Sequence, residues 1–127
     1  PLPDTVGCIM VDLTNIRNIN EAHGYLAGNE AIQAFSNILH TASLGLCFVG
    51  RNGGNKFMAL FENCDEEKLN TFLGRVKETV AQYNAADENH ALQYQSGCAF
   101  REGAAVQTIN QLIALADRRV RQATQNN

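Results

Sequence analysis

Charge is scarce in this chain. Only 18% of its 127 residues are Asp, Glu, Lys or Arg, below the usual quarter of a globular domain. Hydrophobic residues make up 45%, which excludes disorder as the main state. Basic residues are few and the net charge is −3. A general phosphate-backbone binder is therefore excluded, because counterion release needs clustered Lys and Arg, and no nucleic-acid partner is expected. No apolar run approaches the ~18 residues of a membrane span, so this domain is expected to make no membrane contact. The opening, Pro1 to Asp4, lacks a basic segment followed by a long apolar one, and no signal peptide is expected. The first residue is not Met, and a fragment of a larger protein is expected. The length fits one domain spanning residues 1–127 and leaves no room for two. At this size folding buries roughly two-thirds of the surface of the unfolded polypeptide.

Paired cysteine motifs are also missing. Cys8, Cys47, Cys64 and Cys98 lie far apart among apolar neighbours, with no C-x-x-C pair and no His within four positions. Buried thiols in a reducing cytosol are the expected state, rather than disulfides or a zinc site, whose ligands come in short pairs. Repeats, low-complexity tracts and interdomain linkers are absent.

What is present is periodicity. Thr5 to Asp12 is a β-branched, apolar run that ends on an acid, and it reads as a buried strand. Thr14 is placed to cap a short helix carrying Ile16 and Ile19, with Gly24 as its stop. From Gly28, the spacing of Ile32, Phe35, Ile38, Leu39 and Ala42 is helical. Leu46 to Gly50 and Phe57 to Glu62 read as a hairpin around the turn signal Arg51-Asn52-Gly53-Gly54-Asn55. Asn63 and Asp65 are candidate caps for a helix with the stripe Leu69, Phe72, Leu73, Val76, Val80 and Tyr83. Asn84 to Asn89 reads as a loop. Leu92, Tyr94, Ser96, Cys98 and Phe100 alternate as a strand does. Thr108 and Gln111 have capping-box spacing before a last helix. Its inward set is expected to be Ile109, Leu112, Ile113, Ala116, Val120 and Ala123.

The order is β-α-α-β-β-α-β-α. Without one helix it is βαββαβ, which predicts an α/β (α+β) ferredoxin-like core with a central, mostly antiparallel sheet flanked by helices. That fold hosts many activities. Two places carry candidate chemistry: Asp12, an acid at the end of a buried strand, and the hairpin tip Gly53-Gly54-Asn55-Lys56-Phe57. In a ferredoxin-like sheet they can be neighbours, and such an edge suits a metal-nucleotide site. Taken alone, Asp12 is also what a helix N-terminus attracts, and Gly53-Gly54 is what a tight turn needs.

Longer motifs add to this. DLTNIRNINEAHGYLAGNEAI, from Asp12 to Ile32, resembles the DxDxFKxINDxxGHxxGDxxL signature of GGDEF domains, the diguanylate cyclase family. RNGGNKF, from Arg51 to Phe57, resembles its RxGGDEF hairpin. Gly97-Cys98-Ala99 resembles a later strand. Leu112, Ile113, Ala116 and Asp117 resemble the LLxxAD of its last helix. The resemblance runs in order along nearly the whole sequence, without the family's leading helix. It implies a fold related to nucleotidyl cyclases and polymerase palms. Active members join two GTP molecules, one on each half of a dimer, into cyclic di-GMP with two Mg²⁺ ions.

Residue by residue, the resemblance matches Asp12 to a metal carboxylate. It matches the backbone at Leu13 and Thr14 to a second metal ligand and the triphosphate loop, and Asn20 to a guanine contact. Gly24, Gly28, Arg51, Gly53, Gly54 and Phe57 match framework positions. Asn29 stands where an Asp takes guanine N–H groups, and keeps one acceptor oxygen without the charge. Asn55 stands where the hairpin acid binds Mg²⁺, and an amide is a weaker ligand. Lys56 replaces the next acid, and Thr124 falls where a Lys would reach phosphate. The positions of an inhibitory RxxD product site hold Leu44, Gly45, Leu46 and Cys47.

These losses predict no catalytic residue and no required cofactor, with Mg²⁺ only alongside residual nucleotide binding at Asp12. The expected function is an inactive, cytoplasmic regulatory domain, either free or as the cytoplasmic part of a membrane-anchored protein. Its expected partners are other domains of the same chain or a second copy. One alternative is a receptor holding GTP or cyclic di-GMP through Asp12, Leu13, Thr14, Asn20, Asn29, Gly53, Gly54 and Lys56. Another is residual cyclase activity. An RNA-recognition domain shares the fold, but the glycine pattern of KFMALF, Lys56 to Phe61, is wrong for it. Arg118, Arg119 and Arg121 are expected to have solvent-exposed heads near a helix end. His23, His40 and His90 are expected to be scattered.

Overall fold

The computed structural model describes residues 6–100, 106 and 108–125. Thr5, expected to open the first strand, lies outside them. The elements are β1 (Gly7–Leu13), α1 (Ile16–His23), α2 (Tyr25–Ala42), β2 (Phe48–Arg51), β3 (Lys56–Phe61), α3 (Glu66–Ala86), a single 3₁₀ turn (Glu88–His90), β4 (Tyr94–Phe100) and α4 (Ile109–Gln125). Among the described residues the strands form one sheet in the order β2-β3-β1-β4, every neighbouring pair antiparallel. The expected ferredoxin-like antiparallel sheet is present, and its strand order is now fixed.

β1 is central and buried on both faces, which is why its sequence is a continuous apolar run rather than an alternation. Ile9, Val11 and Leu13 face a core shared with α2 and α3, where Phe35, Phe57, Phe61 and Phe72 are fully buried. Cys8 and Met10 face a second core, against Leu112, Ala116 and Val120 of α4. α4 packs on β1 and β4. On that face Phe48 of β2 is left 64% exposed, and β3 alternates between buried and half-buried.

α4 can approach so closely because residue 97 has no side chain. A Cβ there would lie 2.4 Å from the Val120 nitrogen and 2.7 Å from the Ala116 oxygen.

Several element ends differ from expectation, each for a local reason. α1 is preceded by Asn15, not capped by Thr14, and Asn15 makes no cap hydrogen bond. Its amide instead donates to the Ala91 carbonyl at 2.7 Å and accepts from the Gln93 N–H at 3.1 Å. α2 starts at Tyr25, directly after the Gly24 stop. β2 starts at Phe48 because the Leu46 and Cys47 N–H groups turn back to the Ser43 carbonyl. Asp65 caps α3, accepting from the Lys68 N–H at 2.7 Å. α3 continues through Asn84 to Ala86, where the polar composition suggests a loop. Leu92 is not in β4, since its N–H donates to the Asn84 side chain. The Thr108–Gln111 capping box is present, with both reciprocal bonds formed. Ile109 is 38% exposed rather than inward.

Gly97→Ala is expected to cost about 1–3 kcal/mol by forcing α4 off the sheet. Gly74→Ala, on exposed helix surface where a Cβ meets nothing within 4 Å, is expected to stabilise by about 0.5–1 kcal/mol. Chemical denaturation of both variants checks the contrast, and equal effects of one sign would contradict it.

Candidate functional site

Strand register builds the site. In the β1–β3 ladder Asp12 stands directly opposite Lys56, so their side chains share a face. That face is the one α4 covers, and α4 brings Asp117 to the same spot. The Lys56 ammonium donates to Asp12 Oδ2 at 3.1 Å and to Asp117 Oδ1 at 2.9 Å. Side-chain exposure is 34% for Lys56, 14% for Asp12 and 26% for Asp117. Arg121 lies 3.8 Å from the other Asp117 oxygen. Lys56 is held above its ordinary pKa of 10.5, first by the hydrogen bond to Asp117 and then by Asp12, against an opposing effect of burial. Asp12 Oδ1 is buried without a hydrogen-bond partner among the described residues.

The hairpin tip is folded tightly above this cluster. The Asn52 N–H donates to the Lys56 carbonyl and the Lys56 N–H to the Gly53 carbonyl, both at 2.8 Å. Arg51 Nε donates to the Gly54 carbonyl at 2.8 Å. Gly53 and Gly54 have φ of 92° and 50°, a region open to residues without a Cβ. Asn55 is thereby aimed at β1. Its side-chain amide donates to the Leu13 carbonyl, and its own backbone oxygen accepts the Leu13 N–H at 3.0 Å. The Thr14 N–H donates to the Gln93 carbonyl at 2.8 Å.

These contacts define what the cluster can do. One oxygen of Asp12, one of Asp117 and the Leu13 carbonyl already accept hydrogen bonds from the protein. The backbone N–H groups of Leu13 and Thr14 already donate within it. Among the described residues no group of three or more His, Cys, Asp or Glu side chains is placed to hold a metal ion. A cation entering here would also meet the ammonium. At an effective dielectric of about 20, two unit charges 4 Å apart interact by roughly 4 kcal/mol. The cation would compete with that ammonium for Asp12 Oδ2 and Asp117 Oδ1.

Asn20 and Asn29 lie at the α1–α2 pair. Asn20 Oδ1 is buried without a partner among the described residues and lies against Gly28, where a Cβ would sit 1.9 Å away. Asn29 follows on α2 and is exposed, as are Thr14, Gly53 and Gly54. Among the described residues no hydrogen bond joins Asn20 or Asn29 to the Asp12–Lys56 cluster.

In the sequence Asp117 stands out only as part of a helix motif. Its signal is its place beside Ala116 on the inward stripe of α4, where an acid needs a partner. Arg119 does not keep its head in solvent as expected, since it donates to the Cys98 carbonyl at 2.7 Å. His23 is not isolated: its ring centroid lies 4.3 Å from that of His90, and His90 Nδ1 is 2.8 Å from Asp87 Oδ2. Thr124 donates to the Val120 carbonyl.

The four thiols are free. Burial, with Cys98 nearby, pushes the Cys8 thiol up to about 12. Burial, with Cys64 nearby, pushes Cys47 up to about 11. Burial raises Cys64 and Cys98 as well. A thiol so disposed is a poor nucleophile.

Comparison with known proteins gives a consistent outcome. Residues 3–127 match the family profile described as the diguanylate cyclase GGDEF domain. A diguanylate cyclase of Vibrio cholerae serotype O1 is 23% identical over 96 residues, covering 76% of this chain and 30% of that protein. The chain therefore spans less than a third of that relative. The active GGEEF domain of a diguanylate cyclase from Vibrio cholerae superposes with a TM-score of 0.82 at 20% identity, covering 96% of this chain and 78% of the other. The GGDEF domain of DgcB from Caulobacter crescentus, solved in complex with c-di-GMP, gives 0.82 at 17% identity, with 96% and 73% covered. At these identities the likeness is one of fold.

Lys56→Met is expected to destabilise the protein by about 1–2 kcal/mol. That is less than the 3–5 kcal/mol of a fully buried pair, because water screens the exposed third of the side chain. A base with a raised folded-state pKa contributes fully below its unfolded value and loses that contribution as pH rises through the folded one. The gap between wild type and Lys56→Met should thus stay level at neutral pH and close only above pH 10.5. Denaturation midpoints across alkaline pH measure it, and a gap that closes near neutrality would contradict the assignment.

Proposed function

Because the chain belongs to the diguanylate cyclase GGDEF family, we propose that it is a member that does not turn over GTP. It acts instead as a regulatory domain, through contacts with other domains of its own polypeptide or with a second copy. The observation that carries this reading is the Lys56 ammonium held between Asp12 and Asp117. Cyclic di-GMP synthesis needs charge compensation at the reacting phosphate, and here the acids are compensated internally. Asn55 supports the same reading, since its amide is bonded to the carbonyl that the family resemblance assigns to a metal.

In this reading the domain has no Mg²⁺ requirement and no product site at Leu44 to Cys47, a turn closed by hydrogen bonds to Ser43. The free, weakly reactive thiols fit a reducing, cytoplasmic setting.

Incubation with GTP and either Mg²⁺ or Mn²⁺ should yield no cyclic di-GMP, and calorimetric titration of GTP should give no saturable heat with or without Mg²⁺. Detection of cyclic di-GMP would overturn the reading. Micromolar binding without product would make the domain a nucleotide receptor instead. The double variant Asn55→Asp/Lys56→Glu should melt at a higher temperature when Mg²⁺ is added, whereas the wild type should not respond.

A further inference from the structure

The hairpin tip contains a bond with its own chemistry. Asn52 is the only asparagine in the sequence followed by glycine. Both residues are exposed. A Cβ at Gly53 would meet nothing within 4 Å, so the turn is open on the side of the Gly53 Cα, and glycine itself brings no side chain to hinder ring closure. The two hydrogen bonds that close the turn use the Asn52 N–H and the Gly53 carbonyl. Neither uses the Gly53 N–H or the Asn52 carboxamide, and neither group has a partner among the described residues.

We propose that Asn52 is a site of spontaneous covalent modification, deamidating through a cyclic imide. The Gly53 amide nitrogen loses its proton to base and bonds to Cγ of Asn52. The bond from Cγ to Nδ2 breaks, and that nitrogen leaves as ammonia after taking up a proton. Water then opens the imide. Attack at Cγ gives aspartate, and attack at the backbone carbonyl gives isoaspartate. No oxidant or reductant is involved. Asparagine is among the thermolabile residues, and glycine presents the least steric barrier of any following residue.

The consequence reaches the charge cluster. Isoaspartate lengthens the backbone between residues 52 and 53. The two 2.8 Å bonds that set the position of Lys56 straddle that peptide link. Their loss would loosen Asn55 and Lys56 from β1 and α4.

The test is prolonged incubation of the purified, folded protein at mildly acidic and mildly alkaline pH. Peptide mass mapping, released ammonia and isoaspartyl methyltransferase labelling are the readouts. Conversion should occur at residue 52 ahead of every other asparagine, rise with pH, and be lost in Asn52→Gln, whose ring closure is slower. Converted protein should melt below unconverted protein. The proposal is overturned if Asn52 stays intact while Asn55 or Asn89 converts. It is equally overturned if residue 52 converts only after denaturation.

Discussion

A carboxylate at the end of a strand that is covered on both faces has to be neutralised where it stands. β1 is such a strand, and Asp12 is its last acid. The sheet meets this constraint through register. With Ile9 opposite Ala59 and Val11 opposite Phe57, residue 56 must fall opposite Asp12, and residue 56 is a lysine. The same ammonium takes Asp117 from the helix above. One cation therefore joins the central strand, the hairpin and α4. Even partly buried charge of this kind is costly unless it is paired and hydrogen-bonded.

The contacts around the bridge are mutually dependent. Gly97 lets α4 approach the sheet, and that approach brings Asp117 within reach of Lys56. The positive φ of Gly53 and Gly54 turns the hairpin so that Asn55 meets Leu13. The polar groups at the end of β1 are thus satisfied mainly by neighbouring elements. Two buried oxygens, on Asp12 and Asn20, have no partner among the described residues, and each lies where the family resemblance places a ligand contact.

Much of this was legible in the sequence. The unbroken apolar run of β1, the stripe of α3 and the box at Thr108 each follow from one local rule. Asp12 stands out because an acid ends an apolar run, and Lys56 because it breaks a motif. The shifted boundaries share a cause: side chains distant in sequence replace the local signal. Asn84 bonds Leu92 and Asn15 bonds Gln93, so β4 begins later than its alternation suggests. The roles of Asp117 and Arg119 are hidden because their partners, Lys56 and the Cys98 carbonyl, lie on strands that the sequence does not place beside α4. The pairing of His23 with His90 is hidden in the same way.

The internal bridge also has a consequence for how the domain senses its surroundings. A diffusible ion orders a loop only to the extent that its concentration exceeds a dissociation constant. A lysine carried on the hairpin is always present at the effective concentration set by its tether. The hairpin of this protein is tied to β1 and α4 by a side chain of the polypeptide itself. The strength of that tie is set by the stereochemistry of the turn at Gly53 and Gly54, which fixes how far the ammonium can stray from the two acids.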